Sequence, residues 1–316
     1  MPAIDLFPYF ALPVFVLGLG DEGRAACRAL EASGAEVAAW DVDEKRRRAA
    51  LDQGLELGDP NEVDWRERFG IVLDCGTWQG VPEEAEIVSR AERAGCELVS
   101  DVELLARSER DAQYIAVLSR TGASEVLDLL AHVYGVCGRE LEVGGDPGRP
   151  VLGLRSAGAE GGYAIAMSPL KCRHTVSMTF DVALFLDVGV APWPPCRTVE
   201  EAVALGMQVF HRQTAPRAAV INRDVGPGEA ALQGLGRQPE QRLIPVSARS
   251  PVPRGVFTHD GVLYDATEGP PKAIAPIEAE ELSSLHQCAV YAAALASGIP
   301  RHAALASLRT YSSRGG

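Results

Sequence analysis

Lysine is almost missing from this chain. Of its 30 basic residues only Lys45, Lys171 and Lys272 are lysines, and none stands between positions 46 and 170. A phosphate-binding P-loop needs a lysine that reaches the β- and γ-phosphates, so this gap excludes an ordinary one from that stretch. Positive charge as a whole is short. The net charge of −13 argues against nucleic acid or an acidic membrane surface as the main partner. The seven cysteines form no C-x-x-C pair, which reads as reduced thiols in a cytoplasmic protein. The longest apolar run, near residues 9–20, is too short and too broken by Gly and Pro to span a bilayer. Asp5 stands where a signal peptide would carry basic residues, so none is expected. The six histidines show no ligand spacing with Cys or carboxylates, and no G-x-S-x-G elbow exists around Ser124 or Ser168.

What is present is the material of two α/β domains. At 316 residues, 47 % apolar and 23 % charged, the chain is a soluble globular protein with room for two cores. Pro13-Val-Phe-Val-Leu17 is a continuous apolar strand suited to the middle of a parallel sheet. It runs into Gly18-Leu-Gly20-Asp-Glu-Gly23, a helix to about Ser33, and a second strand ending at Asp41. That is a G-x-G-x-x-G inside a βαβ unit, with an acidic residue 18 positions after the last glycine. Gly18, Gly20, Gly23 and Asp41 are therefore ligand-binding candidates. Asp41 would accept a ribose hydroxyl of NAD or serve another nucleotide diphosphate; alternatively the glycines only permit close helix–strand packing. Asp21 and Glu22 lie inside the same loop and count against tight anion binding. Further strands at 70–74 and 98–99 alternate with helices at 82–94 and from 102, which implies a doubly wound, Rossmann-like sheet. Rising polarity at 108–113 puts the boundary between domains 1–111 and 112–316.

The second domain opens on a strand, small-residue turn and helix over 114–131, the outline of a nucleotide loop. Gly122 and Ser124 stand where such a loop has them, but Ala123 takes the lysine position and Glu125 adds a negative charge. Arg120 precedes the glycine and is expected to point away from the cradle. ATP and Mg²⁺ are accordingly not expected as cofactors. Beyond it, 143–150 is a Gly/Pro turn cluster, and strands follow at 163–167, 182–188 and 218–222, with a helix at 199–213. Residues 251–265 read as a hairpin turning at Asp260-Gly261, and helices at 278–297 and 301–308 follow. Trp193-Pro-Pro195 reads as a rigid loop, and Trp40, Trp78 and Tyr163 as core or pocket-wall residues.

The order of these motifs resembles the Mur ligase family, most of all its D-glutamate-adding members. The resemblance rests on Gly18-Leu-Gly-Asp-Glu-Gly23, Glu31-Ala-Ser-Gly-Ala-Glu-Val37 with Asp41, and Val102-Glu-Leu-Leu-Ala-Arg107. It continues through Val143-Gly-Gly-Asp-Pro-Gly-Arg-Pro150, Asn222-Arg-Asp224 and His286. It implies a Rossmann-like UDP-sugar-binding domain, then a central domain with a degenerate P-loop. It also adds Gly76 and Asp146 to the ligand candidates. The family makes an acyl phosphate from ATP and a carboxylate, which an amine then attacks. Carried over, the loop's first glycine is Ser119 and its lysine Ala123. The Mg²⁺-binding Glu falls on Ala166, the metal-binding His on Pro192 and the carbamylated Lys on Gly206. Gln287 and Val290 take the adenine-side Asn pair. The resemblance runs out near the end of the central domain, so the family's C-terminal domain is expected to be absent.

Losing cation, metal ligands and adenine contacts together removes the charge stabilisation that phosphoryl transfer depends on. The expectation is a cytoplasmic pseudoenzyme that binds a UDP-muramyl ligand or a protein of cell-wall synthesis or division, with no catalytic or metal-binding residue. Two other readings stand beside it: a remnant ligase completed by a partner chain, and an NAD-dependent oxidoreductase.

Overall fold

The computed structural model describes residues 3–236, 240–277 and 280–311. The first part of the chain alternates strand and helix. Its elements are β1 (Pro13–Leu17), α1 (Asp21–Ala32), β2 (Glu36–Trp40), α2 (Glu44–Asp52), β3 (Gly70–Leu73), α3 (Pro82–Ala94), β4 (Glu97–Ser100) and α4 (Asp101–Ser108). The four strands form one parallel sheet in the order β2-β1-β3-β4. Their apolar runs are buried, as strands covered on both faces require. The expected Rossmann-like arrangement is present, and the change to a second sheet falls between α4 and the next strand.

The second sheet begins with β5 (Gln113–Ser119), α5 (Ala123–Val136), β6 (Leu141–Gly144), β7 (Gly162–Met167), α6 (Pro169–Arg173), β8 (Val182–Asp187) and α7 (Val199–Gly206). It continues through β9 (Ala218–Asn222), α8 (Gly226–Leu235), β10 (Arg242–Ser247), β11 (Val256–His259), β12 (Val262–Asp265), β13 (Lys272–Pro276), α9 (Glu281–Ala296) and α10 (Arg301–Thr310). The order is β13-β12-β11-β10-β9-β8-β5-β7-β6, parallel except where β12 pairs antiparallel with β11 and β13. β5 sits between β7 and β8, third strand from the β6 edge, so its end and the start of α5 lie at the carboxyl edge of an interior strand. In an open α/β sheet that edge is where ligands bind.

Several elements differ from the sequence reading. The helix expected over 199–213 stops at Gly206 and tightens into a 3-10 turn over Met207–Phe210. Strands β6, β10 and β13 and helices α6 and α8 were not expected. The helix expected from about Glu278 is seen from Glu281, residues 278 and 279 lying outside the described ones. The hairpin turn at Asp260-Gly261 is as expected, with φ of 48° and 72°. No helix among the described residues is long and apolar enough to cross a membrane.

The two sheets are not separate bodies. One apolar cluster takes Leu6, Val102 and Leu105 from the first part and Tyr114, Val151, Phe185 and Ile221 from the second. Around it, Ser100 N–H donates to the His174 carbonyl (3.1 Å), and Glu103 accepts from the amides of Val176 (2.8 Å) and Ser177 (3.0 Å).

Candidate functional site

The loop between β5 and α5 is closed by its own polar groups. Gly122 lies at φ 69°, and a Cβ there would overlap the ring of His286, which packs beneath the loop from α9. Ser119 Oγ donates to the Thr121 carbonyl (2.7 Å), and Thr121 Oγ1 to Asp187 Oδ2 (3.0 Å). Ser124 Oγ, expected from the sequence to stand where a nucleotide loop has its Mg²⁺-binding hydroxyl, donates to Asp146 Oδ2 at 2.6 Å. Asp146 is held in turn by Arg149 (2.5 Å), which also pairs with Asp128 (2.5 Å). Glu125 meets His286 Nδ1 at 2.9 Å. Burial, which favours the neutral ring, pushes the His286 imidazole below its ordinary range although Glu125 favours the charged one. Ala123 starts α5 with no cation.

The Gly18–Gly23 corner is equally self-contained. The Asp41 carboxylate is buried and accepts from the amides of Leu19 (2.7 Å) and Asp43 (2.7 Å), with Arg46 3.5 Å away. Asp74, at the end of β3, sends Oδ2 to the Gly23 amide (3.0 Å) and Oδ1 to the amides of Gly76 (3.0 Å) and Thr77 (3.1 Å). A Cβ at Gly23 would overlap the Gly18 carbonyl, so that glycine is required for α1 to close on β1. Burial raises the Asp74 carboxyl above the usual range, although the amides of Gly23, Thr77 and Gly20 oppose it.

Lys171 joins the two corners. Its ammonium, 3 % exposed, meets Glu22 of α1 at 2.7 Å and Asp101 of α4 at 3.4 Å. Glu22 also accepts from the Gly76 amide at 3.1 Å. Burial works to lower the Lys171 ammonium, but Asp101 and Glu22 outweigh it and the group stays charged. Glu22 is pushed up to about 7, chiefly by burial, because one ammonium serves two carboxylates with Asp74 close by.

Between the corners lies a crevice of about 760 Å³. Gly76 and Asp146, which the resemblance grouped with the Gly18–Gly23 corner, line it together with Ser119, Gly122, Ala123 and Ser124 of the loop before α5. Gly18, Gly20, Gly23 and Asp41 do not line it; they stand behind Asp74 and Glu22. Trp193 and Pro194, read from sequence as a rigid loop, form part of its wall. Arg120 also lines the crevice and reaches the carbonyls of Ala191 and Pro192 (3.1 Å). Two wider concavities, of about 1360 and 1080 Å³, lie around Arg110 and Arg139 and around Arg242 and Arg301. Neither contains a residue of the two corners, so the crevice is the candidate site. Sequence reasoning passed over Asp74, Asp101 and Lys171. The one usable signal was that Lys171 is the only lysine between 46 and 271.

No protein-family model matches the chain. It is 33 % identical over 309 residues to the UDP-N-acetylmuramoylalanine–D-glutamate ligase of Phenylobacterium zucineum, taking in 94 % of this chain and 66 % of that protein. The protein of the same name from Caulobacter sp. is 31 % identical over 309 residues, with the same shares. The chain thus spans about two-thirds, 66 %, of the length of these curated relatives. Among solved structures, the UDP-N-acetylmuramate:L-alanyl-gamma-D-glutamyl-meso-diaminopimelate ligase from Neisseria meningitides superposes with a TM-score of 0.64 at 12 % identity, over 96 % of this chain and 99 % of that one. A pseudomurein peptide ligase type C from Methanothermus fervidus gives 0.53 at 11 % identity, over 96 % and 70 %. These two likenesses speak for the fold alone.

Proposed function

From the premise that the chain belongs to the Mur ligase family, we propose that it is a non-ligating member, a binding or regulatory protein of peptidoglycan-precursor synthesis or cell division. One observation carries this reading. Ala123 stands in the lysine position while Ser124, the remaining phosphate-loop hydroxyl, is committed to the Asp146–Arg149 pair. Phosphoryl transfer works by placing cations on the phosphates, and little else in the protein substitutes for them. Lys171 offers no replacement, since its charge is taken by Glu22 and Asp101. The crevice is then a binding site without a motor, and a protein partner belongs to the same proposal.

Titration calorimetry of the purified chain with Mg²⁺–ATP tests it. The reading expects no saturable binding up to millimolar nucleotide. Micromolar, Mg²⁺-dependent binding lost in Ser124→Ala would refute it.

A further inference from the structure

We propose that the groove beside the first half of β10 docks an extended acidic segment of a partner protein, its carboxylates at Arg242 and Arg254 and its aliphatic side chains on Leu232, Leu243 and Leu295. The inference goes beyond the reading above and gives a protein partner a place and a chemistry. The groove, of about 1080 Å³, shares no residue with the crevice. α9 runs between them: His286 packs beneath Gly122 near its start, and Leu295 lines the groove near its end, about 14 Å along the helix.

The sheet leaves room for a strand there. β10 pairs with β9 over Arg242–Val246 but with β11 only at Val246 and Ser247. Over residues 242–244 its other side meets no strand among the described residues, and all three line the groove. An open strand side receives an extended segment through its main chain. The opposite bank is pinned. Val252 is buried, and a Cβ at Gly255 would overlap the Pro245 carbonyl. Between them Arg254 is held at φ 54°, uncommon for a residue with a side chain, and it stays exposed at the groove.

The charges select the occupant. Four arginines line the groove against two carboxylates. Arg223 pairs with Glu229 (3.0 Å) and Arg301 with Glu268 (3.3 Å). Arg242 donates only to the Pro216 carbonyl (3.4 Å), and neither it nor Arg254 has an ion pair among the described residues. In a chain of net charge −13, two uncommitted guanidiniums beside partly exposed leucines suit carboxylates set among aliphatic side chains. A guanidinium takes a phosphate as readily, so the rest of the lining decides. No aromatic side chain lines the groove among the described residues, which leaves a nucleic-acid base nothing to stack on. Glu229 and Glu268 stand against a continuous polyanion.

The test selects short random peptides displayed on phage against the whole chain, then titrates the recovered sequences by fluorescence anisotropy. They are expected to be rich in Asp, Glu and aliphatic residues. Arg242→Gln with Arg254→Gly is expected to weaken them tenfold or more. Both positions are exposed and glycine suits the left-handed backbone at 254, so the fold is kept. Arg242→Glu with Arg254→Glu is expected to lose these peptides and to bind the same sequences rewritten with Lys for Asp and Glu. No peptide above background, peptides without an acidic excess, or acidic peptides indifferent to both substitutions would overturn the proposal. So would a single-stranded oligonucleotide or a phosphatidylglycerol vesicle that binds more tightly than any peptide through the same two arginines. ATP turnover would sink the non-ligating reading and leave the peptide results standing, and failure of the peptides would leave that reading untouched.

Discussion

Glu22 and Asp101 share the ammonium of Lys171 inside the protein, with Asp74 adding a third negative charge nearby. Removing the cation leaves two buried carboxylates unpaired, so Lys171→Met is expected to cost about 3 kcal/mol or more in urea unfolding. Glu22→Gln relieves the crowding and is expected to cost far less. The two variants differ in pH dependence as well. Glu22 holds its proton to about 7 in the folded chain against an ordinary value of 4.5. Between those values the folded state binds a proton that the unfolded state releases. Stability from this group is therefore present at low pH and lost as pH rises through that window, by about 3 kcal/mol. His174 acts in the opposite sense. Burial lowers it from 6.5 to about 4, so its contribution is present above 6.5 and lost as pH falls. The unfolding free energy of Glu22→Gln relative to the unaltered chain should thus rise between pH 4.5 and 7. A difference independent of pH would contradict the assignment of the raised group to Glu22.

At the scale of elements, the loop before α5 is the feature to perturb. Restoring a lysine with Ala123→Lys is expected to leave the chain without measurable ATPase activity, because Ser124, Asp146 and Arg149 stay locked. Gly122→Ala should destabilise by about 2 kcal/mol or more, since the residue is left-handed and the methyl group overlaps the His286 ring. The loop itself was legible, because strand, small-residue turn and apolar helix follow one another without interruption over 114–131. So were the central strands, where runs such as Ile71-Val72-Leu73 leave no other choice. Other elements were not. α6 has only five residues and begins at a proline, so it shows no helical period. β13 lies at the sheet edge with mostly exposed residues and carries no alternation to read. The Lys171 cluster was hidden for a different reason: its partners are 149 and 70 positions away, and no local pattern marks a charge that will be buried. The G-x-G-x-x-G, correctly placed on a βαβ corner, identified the fold there while saying nothing of whether its amides were free.

At the scale of the whole molecule, the two sheets share one apolar cluster and are tied by α4 to residues 171–177. We expect a single cooperative unfolding transition, the same by tryptophan fluorescence and by far-ultraviolet circular dichroism, which Lys171→Met moves as a unit. Two separated transitions would mean that the sheets fold independently and that the crevice is a hinge. On the reading proposed above, a loop held by Asp146, Arg149 and His286 leaves a protein that binds without turning over ATP. The most direct test is phosphate release by the purified chain supplied with Mg²⁺–ATP, UDP-N-acetylmuramoyl-L-alanine and D-glutamate. The account predicts release no greater than in buffer alone; sustained release that requires both D-glutamate and an intact Ser124 would contradict it.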